Sequence, residues 1–216
     1  VTDWQTVVSE LRKAASNAPV PSVTLIADVG GDPFAVLVST MISLRTKDEV
    51  TLGASRRLLK RAPTPSQLSA VPTEEVARLI YPAGFYNTKA KNLVGAATYI
   101  SDECGGKVPS SLGELLKLSG VGRKTANLVL GLGFGTPAIC VDTHVHRIAN
   151  RNGWIDTATP EQTEFALAEV LPKQHWIEIN TLLVAHGQQT CTPLSPWCSG
   201  CSIAFQCRRV DVSRSR

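Results

Sequence analysis

The chain has 216 residues, room for one large domain or two lobes around a shared core, and its 43% hydrophobic and 19% charged content is that of a globular protein. No apolar run is long enough to cross a bilayer, and Val1-Thr2-Asp3-Trp4 shows no basic segment followed by an apolar stretch, so neither a membrane span nor a secretory signal is expected. A net charge of +4 permits a polyanionic partner without demanding one.

Helical periodicity dominates. Trp4, Val7, Val8, Leu11 and Ala15 fall on one stripe near the start. Ser22 to Ile26 is the best strand candidate, and a short one. Asp32-Pro33 offers a cap and a first-turn proline to the nearly all-apolar segment Phe34 to Leu44, which predicts a helix buried on most sides. Further helices are expected over residues 48–60, 73–80, 88–101, 111–118, 124–132 and 142–150. Thr159-Pro160-Glu161-Gln162 reads as N-cap, first-turn proline and capping-box glutamine, and a last long helix carries Trp176, Ile177, Leu182, Leu183 and Ala185. The fold class is therefore all-α, with no low-complexity linker between lobes.

Basic residues gather at Arg56, Arg57, Lys60 and Arg61, at Lys89, Lys91 and Lys107, and at Arg208, Arg209, Arg214 and Arg216. Phosphate contacts and solvated helix faces both produce such groupings.

Chemistry first shows in Leu118-Ser119-Gly120-Val121-Gly122-Arg123-Lys124-Thr125-Ala126. Gly120 and Gly122, between two helices, allow a tight turn with positive φ and leave backbone N–H groups open to an anion such as a DNA phosphate. A bare Gly-x-Gly is more often an ordinary turn. Lys124, however, sits in the first turn of the second helix, where the helix dipole disfavours an ammonium ion. Partial burial would disfavour it further and leave an amine able to attack a sugar carbon. Asp142, in Val141-Asp142-Thr143-His144, would by itself be read as the cap of the next helix.

Four of the six cysteines crowd the C-terminus as Cys191-x6-Cys198-x2-Cys201-x5-Cys207, while Cys104 and Cys140 stand apart as ordinary thiols. One tight cluster in a chain of this size points to a metal site in a reducing compartment rather than to a disulfide framework. Zinc and a [4Fe-4S] cluster both accept four thiolates, although structural zinc usually takes two Cys-x-x-Cys pairs and only one is present.

The stretch from Gly120 to Asp142 resembles the helix–hairpin–helix DNA glycosylase superfamily, and the cysteine spacing is similar to that of endonuclease III. The resemblance covers nearly the whole chain. It implies two helical lobes with a DNA-binding cleft between them: residues 26–136, a six-helix domain with the hairpin, and residues 1–25 plus 137–216, the iron–sulfur domain. It further implies Lys124 as catalytic nucleophile, Asp142 as essential carboxylate, and Cys191, Cys198, Cys201 and Cys207 as ligands of a [4Fe-4S] cluster. Gly120, Gly122, Arg123, Thr125 and His144 are implied as contacts to double-stranded DNA carrying oxidised bases or abasic sites. The expected activity is excision of oxidised pyrimidines through a lysine Schiff base, then strand cleavage by β-elimination. A monomer is expected, in the cytoplasm with the nucleoid, or in the nucleus or mitochondrion of a eukaryote.

Three positions depart from the family pattern. Relatives carry Gln in a Ser-x-Gln-x-x-Asp segment that fills the gap left by a flipped base; here Ser43-Leu44-Arg45-Thr46-Lys47-Asp48 substitutes Arg45, longer and a donor only, and keeps Asp48. Phe85, in Gly84-Phe85-Tyr86-Asn87, stands where many relatives have Leu in a second intercalating loop; a core aromatic is the plainer reading. The loop Thr192-Pro193-Leu194-Ser195-Pro196-Trp197 lacks the basic residues that relatives often place there. Two rival functions are a monofunctional glycosylase of the same superfamily, which Lys124 argues against, and a non-catalytic, cluster-bearing DNA-binding protein, which would not need both Lys124 and Asp142.

Overall fold

The computed structural model describes residues 2–28 and 31–216, and among them every regular element is helical. In chain order the α-helices are α1 (Trp4–Ala15), α2 (Ser22–Asp28), α3 (Pro33–Ser43), α4 (Asp48–Arg61), α5 (Pro65–Ser69), α6 (Thr73–Ile80), α7 (Tyr86–Glu103), α8 (Leu112–Leu115), α9 (Arg123–Phe134), α10 (Thr143–Asn152), α11 (Pro160–Val170) and α12 (Glu178–Gln189). The all-α expectation is met. No helix of the described residues is long and apolar enough to cross a membrane.

The chain divides into two compact units, one of Val20–Thr136 and one that joins the chain up to Pro19 to Pro137–Arg216. The first unit holds α2 to α9, two of them very short, and is built on α3. The Asp32 carboxylate accepts from the Phe34 N–H at 3.1 Å and Pro33 opens the helix, as its sequence predicts. Phe34, Val36, Leu37, Val38, Met41 and Ile42 are all buried, because α2, α4, α7 and α9 pack around α3. The Ser39 and Thr40 hydroxyls, buried with them, donate back to the carbonyls of Ala35 and Val36, each at 2.7 Å, so no polar atom there is stranded. Truncating Leu37 to Ala in such surroundings costs about 2–5 kcal/mol. α9 comes so near α3 that a Cβ on Gly133 would stand 3.0 Å from Pro33 Cα.

The expected strand at Ser22 to Ile26 is the start of helix α2 instead. Its β-branched residues favour a pleated surface, but no described segment offers a strand partner, and a helix satisfies its backbone internally. Asp48 fixes the start of α2, accepting from the Ser22 hydroxyl at 2.8 Å and the Ser22 N–H at 3.3 Å. The helix expected over 111–118 shrinks to Leu112–Leu115, capped by Ser111, and α5, which opens on Thr64-Pro65, was not anticipated.

In the second unit, Trp4, Val7, Val8 and Leu11 of α1 join Val145 and Ile148 of α10, Leu167 of α11 and Ile179 and Leu183 of α12 in one core. Trp4 and Trp154 stack obliquely at 4.8 Å between centroids. The capping box read at Thr159 and Gln162 is present.

Candidate nucleic-acid site and cysteine centre

The segment Leu118–Gly122 links α8 to α9. Gly120 has φ +75°, and a Cβ there would stand 2.5 Å from the Asn92 side-chain nitrogen, so two separate constraints demand glycine. Ser119 donates its hydroxyl to Asn92 Oδ1 at 3.2 Å, fastening the turn to α7. Gly122, expected to share the positive φ, is extended at −102° and caps α9. Nothing lies within 4 Å of a Cβ built on it. Steric relief inside the fold therefore does not account for this glycine.

Lys124 is the second residue of α9, and it is exposed. The partial burial expected of it is not present in this unit. The buried stripe of α9 takes Thr125, Ala126, Val129 and Leu130, and Lys124 falls off that stripe because each residue turns the helix by about 100°. Arg123 is half-buried. Thr125, expected as a DNA contact, is 2% exposed and belongs to the buried stripe.

In the other unit Asp142 is the N-cap of α10, and its Oδ1 accepts from the N–H groups of His144 and Val145, each at 2.9 Å. His144 is half-buried, with Nδ1 at 3.1 Å from Arg147 Nη2, and a Cβ on Gly187 would collide with both side chains. Glycine at 187 is therefore what lets α12 lie against α10.

Arg45 lies between α3 and α4 and Phe85 between α6 and α7, both exposed and both with positive φ, 52° and 57°. Phe85 is 64% exposed, which removes the core-aromatic reading. Lys89, grouped by sequence with surface cations, is buried at 7% exposure. Its Nζ donates to the carbonyls of Ile42 and Leu44, each at 2.6 Å, and to Thr46 Oγ1 at 2.7 Å. Burial pushes its pKa down to about 8.

Cys191, Cys198, Cys201 and Cys207 border one small cavity of about 20 Å³, and all four are half-buried and without disulfides. Burial raises the Cys201 and Cys207 thiols, and the neighbouring cysteines push the same way. Four thiolates here would repel one another unless a cationic centre sat among them. Among the described residues no three His, Cys, Asp or Glu side chains are arranged to hold a single metal ion.

Arg147, Arg151 and His186 surround this centre, and sequence reasoning missed them. Arg147 Nη2 donates to Cys191 O at 2.9 Å, while Arg151 Nη1 donates to Thr192 O at 2.7 Å and lies 3.6 Å from Cys191 Sγ. His186 Nε2 lies 3.6 Å from Cys201 Sγ. The i, i+4 spacing of the two arginines, which puts them on one helix face, was the available signal. The loop without basic residues carries Leu194, 91% exposed, and Trp197, 55% exposed.

The model of the HhH-GPD superfamily base excision DNA repair proteins matches residues 38–173. Endonuclease III of Thermotoga maritima is 48% identical over 82% of this chain and 83% of its own. The endonuclease III-like protein 1 of Bos taurus is 41% identical over 92% of this chain and 69% of its own. A trapped endonuclease III–DNA covalent intermediate superposes with a TM-score of 0.81 at 32% identity, covering 97% of each chain. Likeness in sequence and likeness in fold thus agree, and the chain belongs to the HhH-GPD superfamily of base excision DNA repair proteins, within its endonuclease III family.

Proposed function

We propose that this bifunctional DNA glycosylase and abasic-site lyase of base excision repair works through Lys124 as nucleophile and Asp142 as its carboxylate partner. The observation that carries the assignment is the turn before α9: strained at Gly120, sterically open at Gly122, and followed at once by an exposed lysine. The positive end of a helix dipole disfavours an ammonium ion, so the dipole does not account for a lysine at this position. Its amine is placed for a reagent arriving from outside the protein.

The base is unreachable while stacked, so the nucleotide must first leave the duplex. The Lys124 nitrogen lone pair then bonds to the anomeric carbon as the bond from that carbon to the base breaks, the base leaving with the electron pair and taking a proton. Asp142 accepts the proton released by the amine and offsets the positive charge that develops on the sugar. The sugar ring then opens as the C1′–O4′ bond breaks, O4′ taking back a proton from Asp142. The nitrogen lone pair forms the C=N bond of an iminium that acidifies the adjacent C2′ position. Loss of that proton expels the 3′ phosphate, and water later frees Lys124. Desolvation of the lysine, absent from the protein's own fold at this position, is supplied by the flipped nucleotide. Oxidised pyrimidines are the proposed substrates.

Cys191, Cys198, Cys201 and Cys207 fit a [4Fe-4S] cluster: all four thiols border one cavity, and their spacing is similar to that of the endonuclease III cluster loop. Bound there, the cluster supplies a four-point cross-link of the C-terminal tail. Six unbridged cysteines suit a reducing compartment that contains DNA, the cytoplasm with its nucleoid or a eukaryotic nucleus or mitochondrion.

The test is reductive trapping. Borohydride added during incubation with duplex DNA carrying thymine glycol or an abasic site should link wild-type protein to DNA. Lys124→Ala should give no adduct and Asp142→Asn should bind DNA with little turnover. An adduct of normal yield from Lys124→Ala would move the nucleophile elsewhere.

A further inference from the structure

The segment after Cys207 is fastened at both ends within the second unit. Its first residues bind the end of α10: the Arg208 N–H donates to Asn152 O at 3.2 Å and the Val210 N–H to Arg151 O at 2.9 Å. Arg208 crosses Gly153 so closely that a Cβ on that glycine would collide with its side chain. Arg209 and Val212 then border the cysteine cavity. Four residues on, the segment pairs with the loop after Cys191: the Arg216 N–H donates to Pro196 O at 2.9 Å and the Ser199 N–H to Arg216 O at 3.0 Å. Arg209 and Asp211 hold left-handed backbone, with φ 55° and 56°, a conformation that persists only where the surroundings enforce it. Residues 208–216 therefore form a built strap rather than a loose tail.

The strap carries four arginines, 208, 209, 214 and 216, against the single Asp211, and all five residues are exposed. Among the described residues no ion pair engages any of the four. Arg208 lies across Gly153 and Arg209 at the cysteine cavity, whereas Arg214 and Arg216 belong to the stretch that meets the loop. Arg216 Nε donates to Ser195 O at 3.2 Å, which fixes the guanidinium and leaves its terminal N–H groups unused. The loop itself, Thr192 to Trp197, has no Lys or Arg. Like charges held close by backbone bonds repel one another, so the fold gains nothing by gathering them. A polyanion that neutralises them does.

We propose that the strap fixes Arg214 and Arg216 against this loop as a phosphate-binding site for the duplex substrate. The proposal rests on the glycosylase reading above and adds to it a grip on the DNA backbone separate from the turn before α9. A guanidinium meets phosphate oxygens in a fork, and each phosphate so neutralised releases condensed counterions, which strengthens binding without reading sequence. The contact lies away from the reacting sugar, so it holds substrate and transition state equally. It lowers KM and leaves kcat unchanged.

The experiment titrates the full, cluster-bearing chain against a duplex holding an uncleavable abasic analogue, by fluorescence anisotropy from about 50 to 200 mM salt. Arg214→Gln and Arg216→Gln should each weaken binding several-fold and reduce the slope of log affinity against log salt by about one. The double variant should lose about two from the slope and raise KM on abasic duplex, with kcat kept. Arg216→Lys retains the charge and should retain the slope. Lys13→Gln removes an exposed charge of α1, already paired with Glu10, and should leave the slope as it is. The visible absorption of the cluster verifies that each variant is loaded. An unchanged slope in the loaded double variant would overturn the site, and an equal fall in Lys13→Gln would reduce it to an effect of net charge. Wild-type protein that binds abasic duplex with its full slope, yet gives no borohydride adduct, would sink the lyase reading and leave the phosphate site standing.

Discussion

Asp142 Oδ1 accepts the backbone N–H groups of both His144 and Val145, at 2.9 Å each, so the carboxylate assigned to catalysis also starts a helix. The two duties separate by substitution. Asn caps a helix about as well as Asp, but it neither carries charge nor takes up a proton. Asp142→Asn should therefore melt close to wild type while losing about 10²–10⁴-fold in turnover. Asp142→Ala should lose the same turnover and a further 0.5–2 kcal/mol or so of stability. Denaturant melts beside single-turnover assays check this; an Asn variant with near-normal turnover would leave Asp142 a cap alone.

The two hairpin glycines should fail in different ways. Gly120→Ala meets both a positive φ and the Asn92 side chain, so about 1–3 kcal/mol of stability should go, with affinity following only as the fold suffers. Gly122→Ala meets nothing within 4 Å at an ordinary φ and should change stability by about 1 kcal/mol at most. Its Cβ would stand where a phosphate needs to approach α9, so affinity for abasic duplex should fall several-fold. Calorimetry and a binding titration on each variant distinguish the two; normal affinity in Gly122→Ala would remove the hairpin from the DNA contact.

Removing iron should free the tail before it unfolds the helices. From Cys191 onward only Pro196 and Ile203 are buried, too little apolar surface to hold 26 residues by packing. Arg147 and Arg151 hold carbonyls of Cys191, Thr192 and Pro193, and the N–H groups of Arg208 and Val210 donate to the carbonyls of Asn152 and Arg151, a few polar ties that four cluster-bound thiols would reinforce. Cys201→Ser should lack the broad visible absorption of an iron–sulfur protein and should lose its tail to trypsin, while the circular dichroism of the helices is kept. A colourless wild-type protein holding stoichiometric zinc would replace the cluster with a single ion.

Much of this was legible because it was local. The cap and proline at Asp32-Pro33, the box at Thr159 and Gln162, and the cysteine spacing each encode their geometry within a few residues. What stayed hidden depends on partners far along the chain. Val23, Thr24 and Ile26 gave a strand signal that an all-helical environment overrode. Lys89 looked like one more surface cation because its acceptors lie 43 to 47 residues away. Lys124 was expected to be partly buried because chemistry wanted a desolvated amine, but helical phase put it on the surface.

Lys89 also makes stability depend on pH, with a definite sign. Burial lowers its pKa from the ordinary 10.5 to about 8 in the folded chain. Below about pH 8 both folded and unfolded chains hold the proton, and the full cost of burying the ammonium is present. Between about pH 8 and 10.5 the unfolded chain binds a proton that the folded chain has released, so the free energy of unfolding rises with pH over that window. Lys89→Met lacks the group, and every other titration is shared. The denaturant midpoint of wild type, measured against that of Lys89→Met, should therefore move upward from about pH 7.5 to about pH 10. A difference that stays flat would mean that Ile42 O, Leu44 O and Thr46 Oγ1 together hold the ammonium charged throughout, because three acceptors favour the protonated form as strongly as burial opposes it.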